Sequence, residues 1–281
     1  AFIMQKELDN FENELSNFLN ANFAMGVGNA TDGLEIALMS LNLNPGDEVI
    51  CSAHTMVATA SAIKMAGATP KIVDIGYDNL IDPDAVAEAI NSKTVGIMPT
   101  QLNGRTCNMD RIMDIAEKNK LFVVEDAAQS LGSKFKNKNA GTFGIASAIS
   151  FYPAKVLGCF GDGGALITNS DAIFHKAYQL HDHGRDLDGE IKSWGRNSRL
   201  DNIQAAILSY NLKKYQNVIE KRRSIAEIYN RELKEIEELK LPVPPSKGGV
   251  HFDVFQNYEL EAKNRDQLQK YLKEKGIGTL V

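Results

Sequence analysis

The chain has 281 residues, with 36 acidic against 31 basic side chains, a formal net charge of −5, and 43% hydrophobic residues. That composition excludes extended disorder. Lys and Arg are scattered rather than clustered, so there is no electrostatic footprint for nucleic acid. No stretch approaches the roughly 18 consecutive apolar residues of a membrane span, and no basic n-region with an apolar h-region opens the chain. Cys51, Cys107 and Cys159 share no CxxC spacing and cannot all pair, which points to a reducing cytoplasm and no structural zinc. At about 150 residues per domain, the length suggests one large or two ordinary domains. The abrupt ends at Ala1 and Val281 read as a piece of a longer chain.

In chain order, Leu8, Phe11, Leu15, Phe18 and Leu19 recur at spacings of three and four and predict an amphipathic helix. The apolar run 23–27 reads as a strand and enters the loop Gly28-Asn29-Ala30-Thr31-Asp32-Gly33, after which Leu34, Ala37, Leu38 and Leu41 restore helical spacing. Pro45-Gly46-Asp47 is a turn before a short strand at 48–51. Helices are then predicted at 54–66, 83–90, 110–118 and 171–180, and strands at 71–74, 95–98, 121–124, 148–151 and 165–168. Short strands buried on both faces and alternating with helices imply an α/β fold, a mostly parallel sheet covered by helices. Residues 204–240 read as one long helical run with a solvated Lys/Arg/Glu face, ended by Pro242, Pro244 and Pro245. Residues 1–215 are expected to form a large domain. Residues 216–281 would hold a linking helix and an incomplete smaller α+β domain.

Two segments carry the chemistry. The strand Phe122-Val123-Val124 ends in Glu125-Asp126, and the strand Ile149-Ser150-Phe151 leads through Tyr152-Pro153-Ala154 to Lys155. Ligands of open α/β sheets bind beyond the carboxyl ends of strands, so Asp126 and Lys155 can face one cleft. Pyridoxal phosphate (PLP) requires such a pair: a lysine to form a Schiff base, and an acid to keep the pyridine nitrogen protonated. A surface lysine and a structural strand-end acid would give the same pattern. The loop 28–33 can offer backbone N–H groups and the Thr31 hydroxyl to a phosphate, or Thr31 and Asp32 can simply cap the helix. It is not a Walker A loop, and Gly161-Asp162-Gly163-Gly164 precedes a strand rather than following one.

Collinear strings cover nearly the whole chain. They are GNATDGLEIALMSL at 28–41, PGDEVICSAHTMVATASAI at 45–63, GATPKIVDI at 67–75, VVEDAAQSLGS at 123–133 and ISFYPAKVLGCFGDGGALITN at 149–169, followed by HGRD and WGRNSRLDNIQAAIL. On these the chain resembles the DegT/DnrJ/EryC1/StrS family of PLP-dependent nucleotide-sugar aminotransferases, whose fold is the type I PLP-transferase fold. The resemblance implies Lys155 as the Schiff-base lysine and Asp126 as partner of the pyridine nitrogen. It places Gln129 near the ring hydroxyl and Ala30, Thr31 and Ser150 on the phosphate. Asn197 would reach the phosphate of a neighbouring subunit, which implies a homodimer with shared active sites. It also implies that the first few dozen residues and most of the small domain lie outside these 281 residues.

The chain departs from the family pattern at three positions. Met56 stands where many members have an aromatic that stacks on the cofactor, so stacking falls to His54 or to the Met56 thioether, unless His54 caps the next helix. Gln101 stands where members often have His, and Ala30 where many have Gly. The first two departures leave substrate contacts open. His181 and His183 lack metal-ligand spacing and read as a helix-end cap or a substrate contact, so no metal is expected. By resemblance the reaction moves an amino group from an amino acid, glutamate above all, to a keto group of a nucleotide-linked sugar. Lys155 argues against the dehydrating branch of the family, which has His there. The alternatives are a non-catalytic PLP-binding regulatory or assembly protein, and a PLP lyase or desulfurase using Cys159.

Overall fold

The computed structural model describes residues 2–246 and 248–281. The chain runs α1 (Lys6–Leu19), β1 (Phe23–Val27), α2 (Ala30–Met39), β2 (Glu48–Ser52), α3 (Val57–Met65), β3 (Thr69–Val73), α4 (Pro83–Ala89), β4 (Thr94–Met98), α5 (Met109–Asn119) and β5 (Phe122–Asp126). It continues through β6 (Lys134–Phe135), β7 (Lys138–Asn139), β8 (Ala146–Ser150), β9 (Gly164–Thr168), α6 (Asp171–His181), α7 (Asn202–Leu212) and α8 (Tyr215–Leu233). The last elements are β10 (Leu239–Lys240), β11 (His251–Phe252), β12 (Glu261–Ala262) and α9 (Arg265–Glu274).

The central sheet has the order β1-β9-β8-β5-β4-β2-β3. β3, β2, β4, β5 and β8 pair in parallel, while β9 runs against both β8 and β1. Every strand but β9 therefore points the same way, and the carboxyl ends of β1, β2, β4, β5 and β8 share one rim. The α/β architecture matches the alternation of short strands and helices along the chain.

Burial on both faces explains why the strands read as continuous apolar runs. In β5, Val124 joins Leu34, Ile36 and Ile63 on one side, while Val123 joins Val86 and Ile112 on the other. Ile149 and Phe151 face a third cluster with Phe11, Leu15 and Leu208. Phe11 meets Phe151 edge-on at 5.3 Å between ring centroids. Each such fully buried side chain contributes roughly 1.5–3 kcal/mol of transfer free energy.

Several local expectations change. The run 204–240 is two helices, split at Lys213–Lys214, and ends at Leu233 rather than at residue 240. No glycine or proline breaks it. Tyr215 is 1% exposed and its hydroxyl donates to the Leu131 carbonyl at 2.8 Å, so docking on the sheet layer redirects the chain. The helix expected from residue 54 begins at Val57, because Ala53 N–H still pairs with the Val73 carbonyl and Met56 is extended at ψ 140°. His54 is therefore not its cap. Nor do Thr31 or Asp32 cap α2: Asn29 does, its side chain accepting from Asp32 N–H at 2.9 Å.

Beyond the proline-rich segment, β11 pairs with β6, and Val254 N–H donates to the Gly104 carbonyl at 2.8 Å. Residues 251–256 thus pack back onto the sheet unit, while β10 pairs with β12. Among the described residues, no helix is long and apolar enough to cross a membrane.

One acid on α1 gives the fold a pH dependence. Glu12 accepts from Gly26 N–H at 2.6 Å, and burial raises its pKa from 4.5 to about 7. The folded state then holds this proton more tightly than the unfolded chain does. Its stabilising contribution is complete below about pH 4.5 and is lost as pH rises through 7. The expected result is that Glu12→Gln, which keeps an acceptor for Gly26, is more stable than the native protein at pH 8. The gain should be up to roughly 3 kcal/mol and should vanish at acid pH. Urea unfolding at the two pH values checks it; an equal effect at both would refute it.

Candidate active site

Asp126 ends β5 at the sheet rim and is only 4% exposed. Its Oδ1 accepts from Ala128 N–H at 3.1 Å and its Oδ2 from the Thr59 hydroxyl at 2.6 Å. Lys155 follows β8 in a turn whose backbone closes from Lys155 N–H to the Tyr152 carbonyl at 2.8 Å. β8 lies beside β5, with Asp126 in register with Ala148, so the two rim segments face each other. Burial pushes the Asp126 carboxyl up, opposed by the Thr59 and Ala128 donors and by the nearby Lys155 charge. Burial pushes the Lys155 ammonium down, opposed by Asp126. Each charge resists desolvation and partly offsets the cost of the other.

The helix start reaches the same place through the sheet register. Ser150 is directly opposite Gly164, and a Cβ on Gly164 would come within 2.6–2.7 Å of the Asn29 carbonyl carbon and the Ala30 nitrogen. Only glycine lets β9 approach the N-terminus of α2 so closely. Ser150 thereby sits beside Ala30 and Thr31, whose N–H groups open α2 and need an acceptor from outside the helix. Such a terminus, with a serine hydroxyl next to it, is suited to a phosphate. Gln129, Ser150 and Lys155 line one small cavity together with Gln256 and Tyr215. The donor set fits PLP: an anion site at α2, a lysine, and a buried carboxylate at the end of β5.

The remaining expected residues stand around this rim. The Gln129 side-chain oxygen accepts from Asn103 N–H at 2.8 Å. His54 contacts the Asn79 carbonyl through Nδ1 at 3.1 Å and Glu259 through Nε2 at 3.5 Å. Met56 is 65% exposed. Asn197 is exposed, and its neighbours tie the segment to this subunit's α2 start: Ser198 Oγ accepts from Gly28 N–H at 3.0 Å, and Arg196 bonds both oxygens of Glu35.

The Gln101 side chain does not reach the rim. Its amide donates to Glu125 at 2.7 Å and its carbonyl oxygen accepts from Cys107 N–H at 2.6 Å, both in the interior. The Gln101 side chain is therefore a core contact and no reader of substrate. His181 is buried and its Nδ1 meets the Tyr178 carbonyl in the last turn of α6 at 2.6 Å, the helix-end cap rather than a substrate contact. Cys159 is buried, its thiol donates to backbone carbonyls, and burial pushes its pKa up, so it is a poor nucleophile.

Sequence reasoning missed a polar cluster contributed by the stretch after the prolines. Glu259 accepts from Asn103 Nδ2 at 2.5 Å and from Asn79 Nδ2 at 3.3 Å, and Asn257 bonds the Asn103 side chain at 2.8 Å. Since Asn103 also bonds Gln129, this cluster anchors residues 257–259 to the site. Nothing local in the sequence marks it, because every partner is more than 150 residues away or comes from a different strand end.

The model of the DegT/DnrJ/EryC1/StrS aminotransferase family matches residues 1–281. The chain belongs to this family. A "Pleiotropic regulatory protein" of Geobacillus stearothermophilus is 40% identical over the whole chain and 75% of its own length. The UDP-2-acetamido-2-deoxy-3-oxo-D-glucuronate aminotransferase of Pseudomonas aeruginosa is 36% identical over the whole chain and 77% of its length. Among solved structures, DesV of S. venezuelae, in complex with a ketimine intermediate, superposes with a TM-score of 0.95. It shares 34% identity and is matched over all of this chain and 75% of its own. This aminotransferase family uses PLP, and the arrangement at β5, β8 and α2 has the parts that cofactor needs.

Proposed function

We propose that this family member transfers an amino group from an amino acid, glutamate in the first instance, to a keto group of a nucleotide-linked sugar. The observation that carries the reading is the placement of Lys155 against buried Asp126 at one sheet rim, beside the N-terminus of α2. When bound, PLP supplies an electron sink for the charge left on the donor carbon. Asp126 holds the ring nitrogen in its protonated form. Ala30, Thr31 and Ser150 hold the phosphate, and Gln129, fixed by Asn103, meets the ring hydroxyl. His54 or Met56 covers the ring. Lys155 Nζ binds the cofactor at rest and, once released, takes the proton from the donor Cα. Its lowered pKa favours the unprotonated amine that this step requires.

Residues 1–215 are the cofactor-binding unit in this reading, and residues 216–281 the linking helix and beginning of a smaller domain. A homodimer sharing its sites is supported by apolar side chains brought together at the surface. Asn202 N–H donates to the Phe2 carbonyl, and Phe160 and Gln204 exchange two hydrogen bonds, which sets Phe2, Phe160 and Ile203 near one another. They are 90%, 82% and 68% exposed, an apolar patch suited to a second copy and to Asn197 reaching its phosphate. A cytoplasmic location agrees with three free, buried cysteines.

The 40% identical relative is called a regulatory protein, which keeps in view one alternative for this chain, a regulator that binds the cofactor without turnover. Incubating the PLP-loaded protein with glutamate separates the two. Aminotransferase function predicts stoichiometric 2-oxoglutarate and conversion of the cofactor to its amine form. A panel of nucleotide-linked keto-sugars should then return the cofactor to the aldehyde form with one sugar class. Cofactor binding with no keto acid formed from any amino donor would establish the regulatory reading instead.

A further inference from the structure

Three threonines from different segments form a line ending on Asp126. The Thr100 hydroxyl lies 2.9 Å from that of Thr55, Thr55 lies 2.6 Å from Thr59, and Thr59 donates to Asp126 Oδ2 at 2.6 Å. Thr100 follows β4, Thr55 follows β2, and Thr59 is in the first turn of α3. Thr59 is 0% and Thr100 4% exposed, so the two ends of the line are shielded from water, while Thr55 between them is partly exposed. The line is tied to the rim at both ends: Asp126 N–H donates to the Pro99 carbonyl at 3.0 Å, and Gln101 N–H donates to the Asp126 carbonyl at 2.9 Å.

A hydroxyl has one proton to give. If Thr59 gives its proton to an ionised Asp126, Thr59 must accept from Thr55, and Thr55 from Thr100. All three protons then point toward the carboxylate, and each bond polarises the next. If Asp126 were protonated and donated to Thr59, the order would reverse and the last proton would fall on Thr100. Thr55 is the sole hydrogen-bond partner of the Thr100 hydroxyl among the described residues, so that proton would be left buried without an acceptor. The line therefore has one favourable direction.

We propose that Thr100, Thr55 and Thr59 form a proton-ordered clamp that keeps Asp126 ionised and aimed at the cofactor's ring nitrogen, with Thr59 the positioning residue. This rests on the reading of Asp126 as the ring-nitrogen partner. Burial works against the charged form of Asp126, and the Thr59 bond opposes it together with the Ala128 N–H and the Lys155 charge.

The test measures PLP affinity of the apoprotein against pH for native protein, Thr59→Val, Thr59→Ser and Asp126→Asn, with the glutamate half-reaction rate alongside. Thr59→Val keeps the shape and removes the donor. It should weaken PLP binding about tenfold, as expected for one hydrogen bond to a charged group. Without that donor Asp126 takes up a proton more readily, so affinity should begin to fall at a higher pH than in the native protein. The glutamate half-reaction should slow, with little change in the KM for glutamate. Thr59→Ser should restore all three. Thr100→Val, at the far end, should shift the pH profile in the same direction by less, and it serves if Thr59→Val does not fold. Native behaviour of Thr59→Val, or of Thr100→Val in its place, overturns the clamp while leaving the assignment of Asp126 intact. Failure of Thr59→Ser to rescue also overturns it, since the methyl group and not the hydroxyl would matter. Native behaviour of Asp126→Asn overturns the assignment and the clamp together.

Discussion

Lys155→Ala is expected to abolish both covalent cofactor retention and turnover. Native protein loaded with PLP and treated with borohydride should carry the cofactor's mass irreversibly, and the variant should release it on dialysis. The loss in kcat should be at least about 10³-fold, because the general base proposed for the donor Cα disappears with the side chain. The fold should survive: Lys155 sits in a turn at the sheet rim, its side chain only partly buried, and its backbone bond to Tyr152 does not need the side chain. A near-native urea midpoint with no detectable 2-oxoglutarate is the expected pair of results. Turnover persisting in the variant would remove Lys155 from the mechanism.

The second large effect falls on the neighbouring acid and is one of stability. Glu125 is 0% exposed and accepts four hydrogen bonds: Gln101 Nε2 at 2.7 Å, Gly141 N–H at 2.8 Å, Phe143 N–H at 2.6 Å and Gly144 N–H at 2.9 Å. Burial pushes its pKa up, and these donors oppose the shift. The carboxylate thus holds the 141–144 loop against β5. Truncation to Ala would leave three backbone N–H groups and one amide without their acceptor in the interior. Each orphaned donor costs about 1–3 kcal/mol, less in sum if the loop relaxes toward water. The expected loss for Glu125→Ala is about 3–5 kcal/mol, the range for breaking a buried charged network. Asp126→Asn, one residue on, should instead keep most of the stability and lose most of the activity. Urea midpoints for the two variants, beside their half-reaction rates, check the contrast. Equal stability loss at both positions would refute it.

That contrast marks how far sequence reading reaches. Apolar runs flanked by helical periodicity predicted the alternating elements, because a strand covered on both faces must be apolar throughout. Lys155 after Tyr152-Pro153-Ala154 and the acids ending β5 were legible as a pair, since strand ends in a parallel sheet converge on one rim. The helix boundaries were less legible. Residues 53–56 stay outside α3, with Ala53 N–H on the Val73 carbonyl of β3 and the Thr55 hydroxyl on that of Thr100, and α7 and α8 separate because Tyr215 docks on Leu131.

Spacing along the chain thus carried the α/β class, which depends on neighbours within a turn or a strand, and offered Lys155, Asp126 and the loop Gly28–Gly33 as candidates that the family resemblance then singled out. Three other features follow from contacts between distant segments: Glu125 anchoring a loop while Asp126 faces the site, Gln101 turning inward, and the alignment of Thr59, Thr55 and Thr100. Adjacent strand residues point to opposite faces, yet which face is the site depends on what packs against each. Thr59 and Asp126 are 67 positions apart, and Asn103 and Glu259 are 156 apart. No local pattern encodes such meetings; strand order and helix docking alone bring those atoms within hydrogen-bonding distance.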